Sequence, residues 1–265
     1  MTLSNMKKII PTLLFLVSLP VFVGCNESLD TYTGENGIYF DTRYNGSEML
    51  SDTIEVHWGL KNTSVQSQFV TLKVKLFGNT SPVDRKFSIR IADDITDDKL
   101  AEAGVDYVMP SLDVILPAGQ AEVPIEIEVL RRPDLKDNPR LMKIELVENE
   151  DLKFLYTRST AYIGDDGNVH TRPLDLQRVL SMDETFPIPI WWVVRGQPYF
   201  GDWTAKKAAL ICDVMDIDRQ AWVATSELSE GYLKYCGKFM YRYLQENPQL
   251  DEDGEPMEMG PMSII

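Results

Sequence analysis

The sequence has few of the residues on which most metal sites and nucleophilic active sites depend. Of its 265 residues, only three are cysteine and two are histidine. His57 and His170 are far apart, neither lies near a CxxC pair, and no G-x-S-x-G motif occurs. Zinc sites need clustered cysteine and histidine ligands, and a serine nucleophile needs a sharp turn and a histidine partner. The sequence therefore predicts no metal, no cofactor and no enzymatic activity.

Basic residues are also scarce relative to acidic ones. The chain has 26 lysines and arginines against 41 aspartates and glutamates, which gives a formal charge of −15 at pH 7. A surface this acidic repels nucleic acid and anionic lipid. Carboxylate pairs of the kind that glycosidases use can be drawn from so many acids, but no pair is singled out. We therefore expect no nucleic-acid partner and a charge that serves solubility.

Long apolar runs are missing except near the start of the chain. One run covers residues 9–23, directly after Lys7 and Lys8. It is about 15 residues long, whereas a helix that spans a bilayer needs roughly 20. A basic start, a short apolar stretch and a small residue before the break are typical of a secretory signal peptide. We predict that residues 1–24 are such a leader, with a transmembrane helix as the alternative.

Cys25 follows this stretch directly and changes the expected outcome. Residues 21–25 (VFVGC) resemble the bacterial lipobox, in which the thiol is acylated and the cysteine becomes the new N-terminus. An ordinary cleaved signal, with Cys25 free or disulfide-bonded, is the alternative. Acyl chains such as palmitate contribute about 0.8 kcal/mol per buried CH₂. The sequence therefore predicts a mature chain held at a membrane through lipid on Cys25, with residues 25–36 as the anchor linker.

Only Cys212 and Cys236 remain after lipidation. Beyond the inner membrane such a pair can form a disulfide, but two cysteines also suit a pair of packed helices. Both interpretations stay open.

Apolar and polar residues alternate along much of the stretch from residue 38 to residue 163. One apolar and one charged face are typical of an antiparallel sheet with one side in water. Seven or eight such runs, separated by turn residues, predict an immunoglobulin-like antiparallel β-sandwich over residues 37–165. Pro124 cannot donate to a ladder, so its strand is expected at an edge or a bulge. The alternating apolar positions include Ile54, Val56, Trp58, Val70, Leu72, Val74, Leu76, Ile125, Ile127, Val129, Met142, Ile144 and Leu146.

Helical spacing replaces this alternation in residues 166–247. Asp202 or Thr204 is placed to cap one helix, and a longer one is expected from about Glu227 to Gln245. We therefore predict a smaller, aromatic-rich and mainly helical region after the sandwich. Residues 248–265 are acidic and contain glycine and proline, which predicts a flexible tail. The apolar positions of the longer helix are Leu228, Tyr232, Tyr235, Cys236, Phe239, Met240, Tyr243 and Leu244.

Aromatic residues cluster between the sandwich and the helices. Flat aromatic faces stack on sugar rings and anchor protein interfaces, so these residues are the candidates for contact with a ligand or partner. The alternative is that they form the core of the junction. If the segment is extended, the two adjacent tryptophans point in opposite directions. The candidates are Trp191, Trp192, Tyr199, Phe200 and Trp203.

Several segments, taken in order, resemble a known group of proteins. They are 37–41 (GIYFD), 78–79 (GN), 103–107 (AGVDY), 117–120 (PAGQ), 123–125 (VPI), 129–132 (VLRR) and 199–204 (YFGDWT). The AGVDY and PAGQ segments resemble sandwiches of the Calx-β type. The whole set resembles a Bacteroidetes lipoprotein family of uncharacterised function, commonly encoded beside SusC/SusD-type importers. Calcium-binding Calx-β domains carry acidic pairs at strand ends, whereas this strand ends in Arg131 and Arg132, so no calcium is expected.

The resemblance and the leader together imply a location and a partner. We expect a non-enzymatic lipoprotein of the outer membrane, facing the cell surface, that is an accessory or interaction subunit of a SusC/SusD-type nutrient importer. The alternative is a free-standing glycan-binding protein that uses the aromatic residues near the C-terminus. A peptide ligand is also compatible with the same aromatic residues.

Overall fold

The computed structural model describes residues 32–44, 47–48, 51–95, 98–109, 111–155, 157–164 and 166–264. The predicted leader, Cys25 and most of the predicted linker lie outside the described residues. Residues Glu35–Ile265 form one compact unit. No helix in the described part of the chain is long and apolar enough to cross a membrane.

Strands and their connections occupy residues 37–183, which we call the β region. The strands are β1 (Gly37–Phe40), β2 (Arg43–Tyr44), β3 (Ser47–Glu48), β4 (Thr53–His57), β5 (Ser67–Phe77), β6 (Arg85–Ala92), β7 (Tyr107–Val108), β8 (Asp113–Leu116), β9 (Glu122–Leu130), β10 (Arg140–Val147), β11 (Ser159–Ile163), β12 (Val169–Pro173) and β13 (Gln177–Asp183). A 3₁₀ turn at Trp58–Leu60 follows β4.

Two sheets make up most of the β region. One has the strand order β1-β5-β9-β7 and the other has the order β4-β13-β10-β6-β8. The strands β11 and β12 form a separate hairpin. The ladder between β13 and β4 is parallel, so the prediction of a purely antiparallel arrangement is wrong at this pair. Alternation in a sequence indicates which face a residue occupies, but it carries no information on the direction of the neighbouring strand.

Both sheets contribute side chains to one hydrophobic core. Buried and exposed residues alternate along β5, β9 and β10, as the sequence predicted. Each fully buried aliphatic side chain contributes about 1.5–3 kcal/mol, so this shared core stabilises the β region substantially. The prediction of a mainly β chain is confirmed. The buried members from these three strands are Val70, Leu72, Val74, Leu76, Ile125, Ile127, Val129, Met142, Ile144 and Leu146.

The β region extends past the predicted boundary at residue 165. The strand β13 lies between β4 and β10, and its Leu180 and Met182 belong to the core. The sequence did not predict this strand, because Arg178 is buried and interrupts the apolar alternation. Its guanidinium donates to the carbonyl oxygens of Gln177 at 2.7 Å and Asp41 at 2.6 Å, and burial lowers its pKa to about 10.

The helical region, residues 190–264, follows the β region and confirms the prediction of a smaller helical, aromatic-rich part. Its helices are α1 (Gln197–Phe200), α2 (Ala205–Met215), α3 (Arg219–Ala224) and α4 (Glu230–Glu246), and a π-helical turn at Trp192–Gly196 precedes α1. Side chains cap three of them: Thr204 accepts from the Lys207 N–H, Asp218 from the Ala221 N–H, and Ser229 from the Tyr232 N–H. These caps satisfy amide groups that the helices leave unpaired.

The acidic C-terminal segment packs against the helices, so the prediction of a flexible tail over residues 248–265 is wrong. Met257 and Met259 are buried in the helical core. The Ser263 hydroxyl donates to the carbonyl oxygen of Tyr199 at 2.6 Å, and the Gly260 N–H donates to the same carbonyl at 2.9 Å. Composition alone did not predict this, because a few apolar contacts suffice to hold a segment most of whose acids face water. Asp251 instead accepts a hydrogen bond from the Thr204 hydroxyl at 2.5 Å.

Candidate functional site

The aromatic residues predicted to contact a ligand or partner form the core of the helical region. Trp191, Trp192, Tyr199 and Phe200 are buried, and Trp203 is half-buried. The ring of Trp192 lies 4.9 Å from that of Phe200 and 4.7 Å from that of Trp203. Of the two interpretations, the contact surface is wrong for the four buried rings, since a ligand cannot reach them, and these rings follow the core interpretation.

Helical geometry explains why both adjacent tryptophans point inward. The segment enters a π-helical turn at residue 192 instead of remaining extended, so neighbouring side chains do not alternate between faces. The Trp191 Nε1 donates to the Trp222 carbonyl oxygen at 3.0 Å, and the Trp192 Nε1 donates to that of Gly201 at 3.1 Å. Trp222, which sequence reasoning missed, packs against Trp191 with ring centroids 4.7 Å apart and ring planes tilted by 57°.

Cys212 and Cys236 are free thiols buried in the same core. They therefore follow the packed-helix interpretation rather than the disulfide. Burial raises the pKa of Cys212 to about 12, and it also raises the pKa of Cys236. Thiols with such pKa values remain protonated near neutral pH and are poor nucleophiles and metal ligands.

Among the described residues, no group of three or more histidine, cysteine, aspartate or glutamate side chains is placed to hold a metal ion. His57 lies between two carboxylates: Nδ1 is 2.8 Å from Asp183 Oδ1, and Nε2 is 3.1 Å from Glu55 Oε2. The hydrogen bond with Asp183 raises the pKa of His57 despite its partial burial. A general base needs one ring nitrogen free to take a proton, and both nitrogens of this imidazole are occupied.

A cleft of about 690 Å³ lies where the β region meets the helical region. Phe186, Leu210 and Met257 supply its apolar surface, and two arginines lie at its walls. Arg131 forms a bidentate pair with Glu184 and donates from Nη1 to the Asn62 carbonyl at 2.9 Å.

The second arginine of the cleft, Arg219, connects the two regions. It donates to the carbonyl oxygens of Gly59 and Lys61 at 3.0 and 3.2 Å, and to both oxygens of Asp213 at 2.8 and 2.9 Å. The donors of both arginines are therefore engaged within the protein. These contacts leave the two guanidinium groups little capacity to bind a charged ligand.

An exposed aliphatic strip lies between the β region and α1. It consists of Ile188, Ile190, Val193 and Val194, with exposed fractions of 52, 62, 62 and 66%. Residues 190, 193 and 194 lie within one short helical stretch, which is π-helical from residue 192, and all three side chains are exposed. Single exposed aliphatic residues are ordinary, but contiguous apolar surface is typical of an interaction site.

A second unusual surface is the α4 cation row, formed by Lys234, Lys238 and Arg242 at intervals of four residues. No described residue forms an ion pair with any of the three. Like charges four residues apart destabilise a helix by roughly 0.2–0.5 kcal/mol per pair. Beside the row lie the rings of Tyr235 and Phe239, which are 60 and 41% exposed, with centroids 6.3 Å apart.

No protein-family model matches the chain, and no curated protein matches it. Solved structures that resemble it include the CBD1 domain of Calx in its apo form, at 17% identity and a TM-score of 0.34, over 57% of this chain and 99% of that one. A protein of unknown function from Bacteroides ovatus matches at 18% identity and a TM-score of 0.34, over 55% of this chain and 43% of that one. The CBD12 segment of CALX1.2 matches at 16% identity and a TM-score of 0.31, over 49% of this chain and 41% of that one.

This chain thus spans less than half the length of the last two structures. The similarities extend over about half of this chain, and at these values they carry no argument about its activity.

Proposed function

We propose that this protein is a non-enzymatic outer-membrane lipoprotein that serves as an accessory or interaction subunit of a SusC/SusD-type nutrient importer. Lipid on Cys25 anchors it at the cell surface. Its β region is an immunoglobulin-like sandwich of the Calx-β type that positions the partner-binding surface. The lipobox-like leader and the ordered family resemblance of the sequence support this location and this partner.

The aliphatic strip is the observation that carries the proposal. Burying four such side chains against a partner contributes on the order of 1–2 kcal/mol for each. In the free protein the same surface lowers solubility, because exposed contiguous apolar area favours aggregation. A protein–protein interface with an apolar centre covers such a surface, and the strip offers such a centre.

Anchoring strengthens a modest interface of this kind. Two proteins confined to one membrane meet at a high effective concentration, so docking does not require high intrinsic affinity. The interaction subunit therefore needs a small apolar contact and a lipid anchor, which the aliphatic strip and Cys25 provide.

The test is purification of the lipidated protein from its native host at native expression, followed by mass spectrometry of the N-terminus and of bound proteins. We expect an acylated Cys25 and stoichiometric recovery of importer subunits. The double variant Ile190→Glu with Val193→Glu should lose most of the importer while it stays lipidated and folded.

The matched control is Val83→Glu with Val169→Glu, because these two valines are at least as exposed, at 65 and 73%, but lie on the β region. It should retain the importer. Recovery of the native protein without any importer subunit, or equal recovery with both double variants, would refute the proposed role.

A further inference from the structure

The α4 cation row stands out because the rest of the chain is acidic. The chain carries 41 acidic residues and a formal charge of −15, yet Lys234, Lys238 and Arg242 have no acidic partner among the described residues. The three charges extend over about 12 Å of the helix, at 1.5 Å per residue. Repulsion within the row costs helix stability, and Glu230 and Glu246, which lie four residues beyond its two ends, offset only part of that cost. A bound anion would offset more of it.

Two exposed aromatic rings accompany the row. Tyr235 and Phe239 lie one turn apart on the adjacent ridge of α4, and between the two ridges runs a groove of about 380 Å³. Gly231 lies at one end of the groove, where no atom would contact a side chain, so the groove is open there. Aromatic faces of this kind pack against the C–H faces of sugar rings. Cations supply contacts for carboxylate or sulfate groups.

The surroundings of the groove limit what can bind there. Glu230 and Glu246 are the first and last residues of α4, so acids flank the row at both ends. A flat anionic membrane would approach these acids and the acidic body together with the row. An acidic protein partner with a standard interface of about 20–30 residues on each side would likewise extend over these acids and the acidic body. A narrow polyanionic chain contacts the groove alone.

We propose that the outward face of α4 binds an anionic polysaccharide. The sugar rings stack on Tyr235 and Phe239, and their carboxylate or sulfate groups pair with the α4 cation row. This site is separate from the buried tryptophans and does not depend on the importer proposed above.

Affinity electrophoresis of the full-length protein in detergent tests this inference. The probes are polygalacturonate, which carries carboxylates, chondroitin sulfate, which adds sulfates, and neutral dextran. We expect retardation by one or both anionic polysaccharides, weakening as salt rises, and none by dextran. The anionic probe that binds more tightly shows whether the site prefers carboxylate or sulfate groups. Absence of retardation by both, or equal retardation by dextran, overturns the proposal.

Two sets of variants locate the site. Replacing Lys234, Lys238 and Arg242 together by glutamine, a good helix former, should weaken binding about tenfold or more. Replacing Tyr235 and Phe239 together by alanine should weaken it several-fold while its salt dependence is kept. Unchanged binding in either set overturns the assignment.

A matched control separates the row from net charge. Lys86, Lys99 and Lys136 are exposed lysines of the β region, and their replacement by glutamine changes the charge by the same amount. This triple variant should bind normally, and an equal loss would overturn the site.

Poly-glutamate and vesicles of phosphatidylglycerol and phosphatidylcholine in equal amounts serve as competing anions. If either binds through the α4 cation row as tightly as the polysaccharide, the assignment to a sugar is wrong.

Discussion

Arg219 and Gly59, which are 160 residues apart in the sequence, are joined by a hydrogen bond of 3.0 Å from the guanidinium Nη1 to the carbonyl oxygen. The same guanidinium holds Lys61 and Asp213, so one side chain connects α3, α2 and the turn after β4. The two regions of the chain are therefore joined by hydrogen bonds from a charged side chain.

We predict that Arg219→Ala destabilises the protein by about 2–4 kcal/mol, because it leaves two carbonyl oxygens and a carboxylate without their donor. Urea unfolding measures this loss. Arg195→Ala is the control, since Arg195 forms an exposed pair with Glu227 and should cost less than about 1 kcal/mol. Equal effects of the two substitutions would show that Arg219 does not connect the regions.

A second prediction follows from the burial of the tryptophans. Trp192→Ala should reduce the free energy of unfolding by about 3–5 kcal/mol, because it opens a cavity among packed rings. Trp203→Ala should cost less, since that ring is only half-buried. Tyr235→Ala, at an exposed position, should change stability by about 0.5 kcal/mol at most. If the Trp192→Ala protein had normal stability, Trp192 would have to be exposed rather than buried.

The two thiols of the helical core are expected to be reduced and unreactive. Because burial raises the pKa of Cys212 to about 12, the folded protein at pH 8 should react with a thiol reagent only slowly. In denaturant without any reductant, both Cys212 and Cys236 should react at once. A denatured protein that shows no free thiol until it is reduced would establish the disulfide instead.

His57 is expected to make stability depend on pH. Its pKa is raised in the folded protein by the hydrogen bond with Asp183, so the protonated ring stabilises the fold. That contribution is complete below the unfolded pKa of about 6.5 and is lost as pH rises through the raised folded value.

Urea unfolding between pH 5.5 and 8.5 should therefore show a decline in stability that His57→Gln removes. In NMR titration, Asp183→Asn should lower the pKa of His57, and the His170→Gln variant identifies the other histidine resonance. A His57 that titrates below its ordinary value would contradict this arrangement.

The C-terminal segment is predicted to be structural. Met259→Asp should destabilise the protein by about 3 kcal/mol or more, because it places a charge in the helical core. Glu255→Gln with Glu258→Gln, at exposed positions nearby, should be neutral. Thermal unfolding distinguishes the two, and a stable Met259→Asp protein would mean that the segment is detached in solution.

Sequence patterns predicted the parts of this fold in which one local rule acts alone. Strict alternation identified β5, β9 and β10, and Thr204 was correctly given as a candidate cap for α2. Pro124 was expected at an edge or a bulge. The edge is found, because β9 pairs with β7 only at residues 128–129, so the Pro124 end has a partner on one side. Local chemistry was sufficient at these positions.

Patterns failed where tertiary context decided. Arg178 is buried within β13 because backbone carbonyls surround its guanidinium. No local sequence pattern predicts this burial. Tyr235 and Phe239 were assigned to the apolar face of the long helix, whereas only Leu233, Cys236, Met240 and Leu244 are buried there along with Gly237. The spacing of Lys234, Lys238 and Arg242 was visible in the sequence, but their lack of partners is a property of the folded chain.

The position of β13 between β4 and β10 has a consequence for synthesis. The strand β4 ends at His57, yet its ladder partner is made only when the ribosome reaches residues 177–183. A nascent chain that stops at residue 165 therefore has β4 without a neighbour and β10 with an open edge. The second sheet closes late, and a truncated product would present two unpaired edges to aggregation.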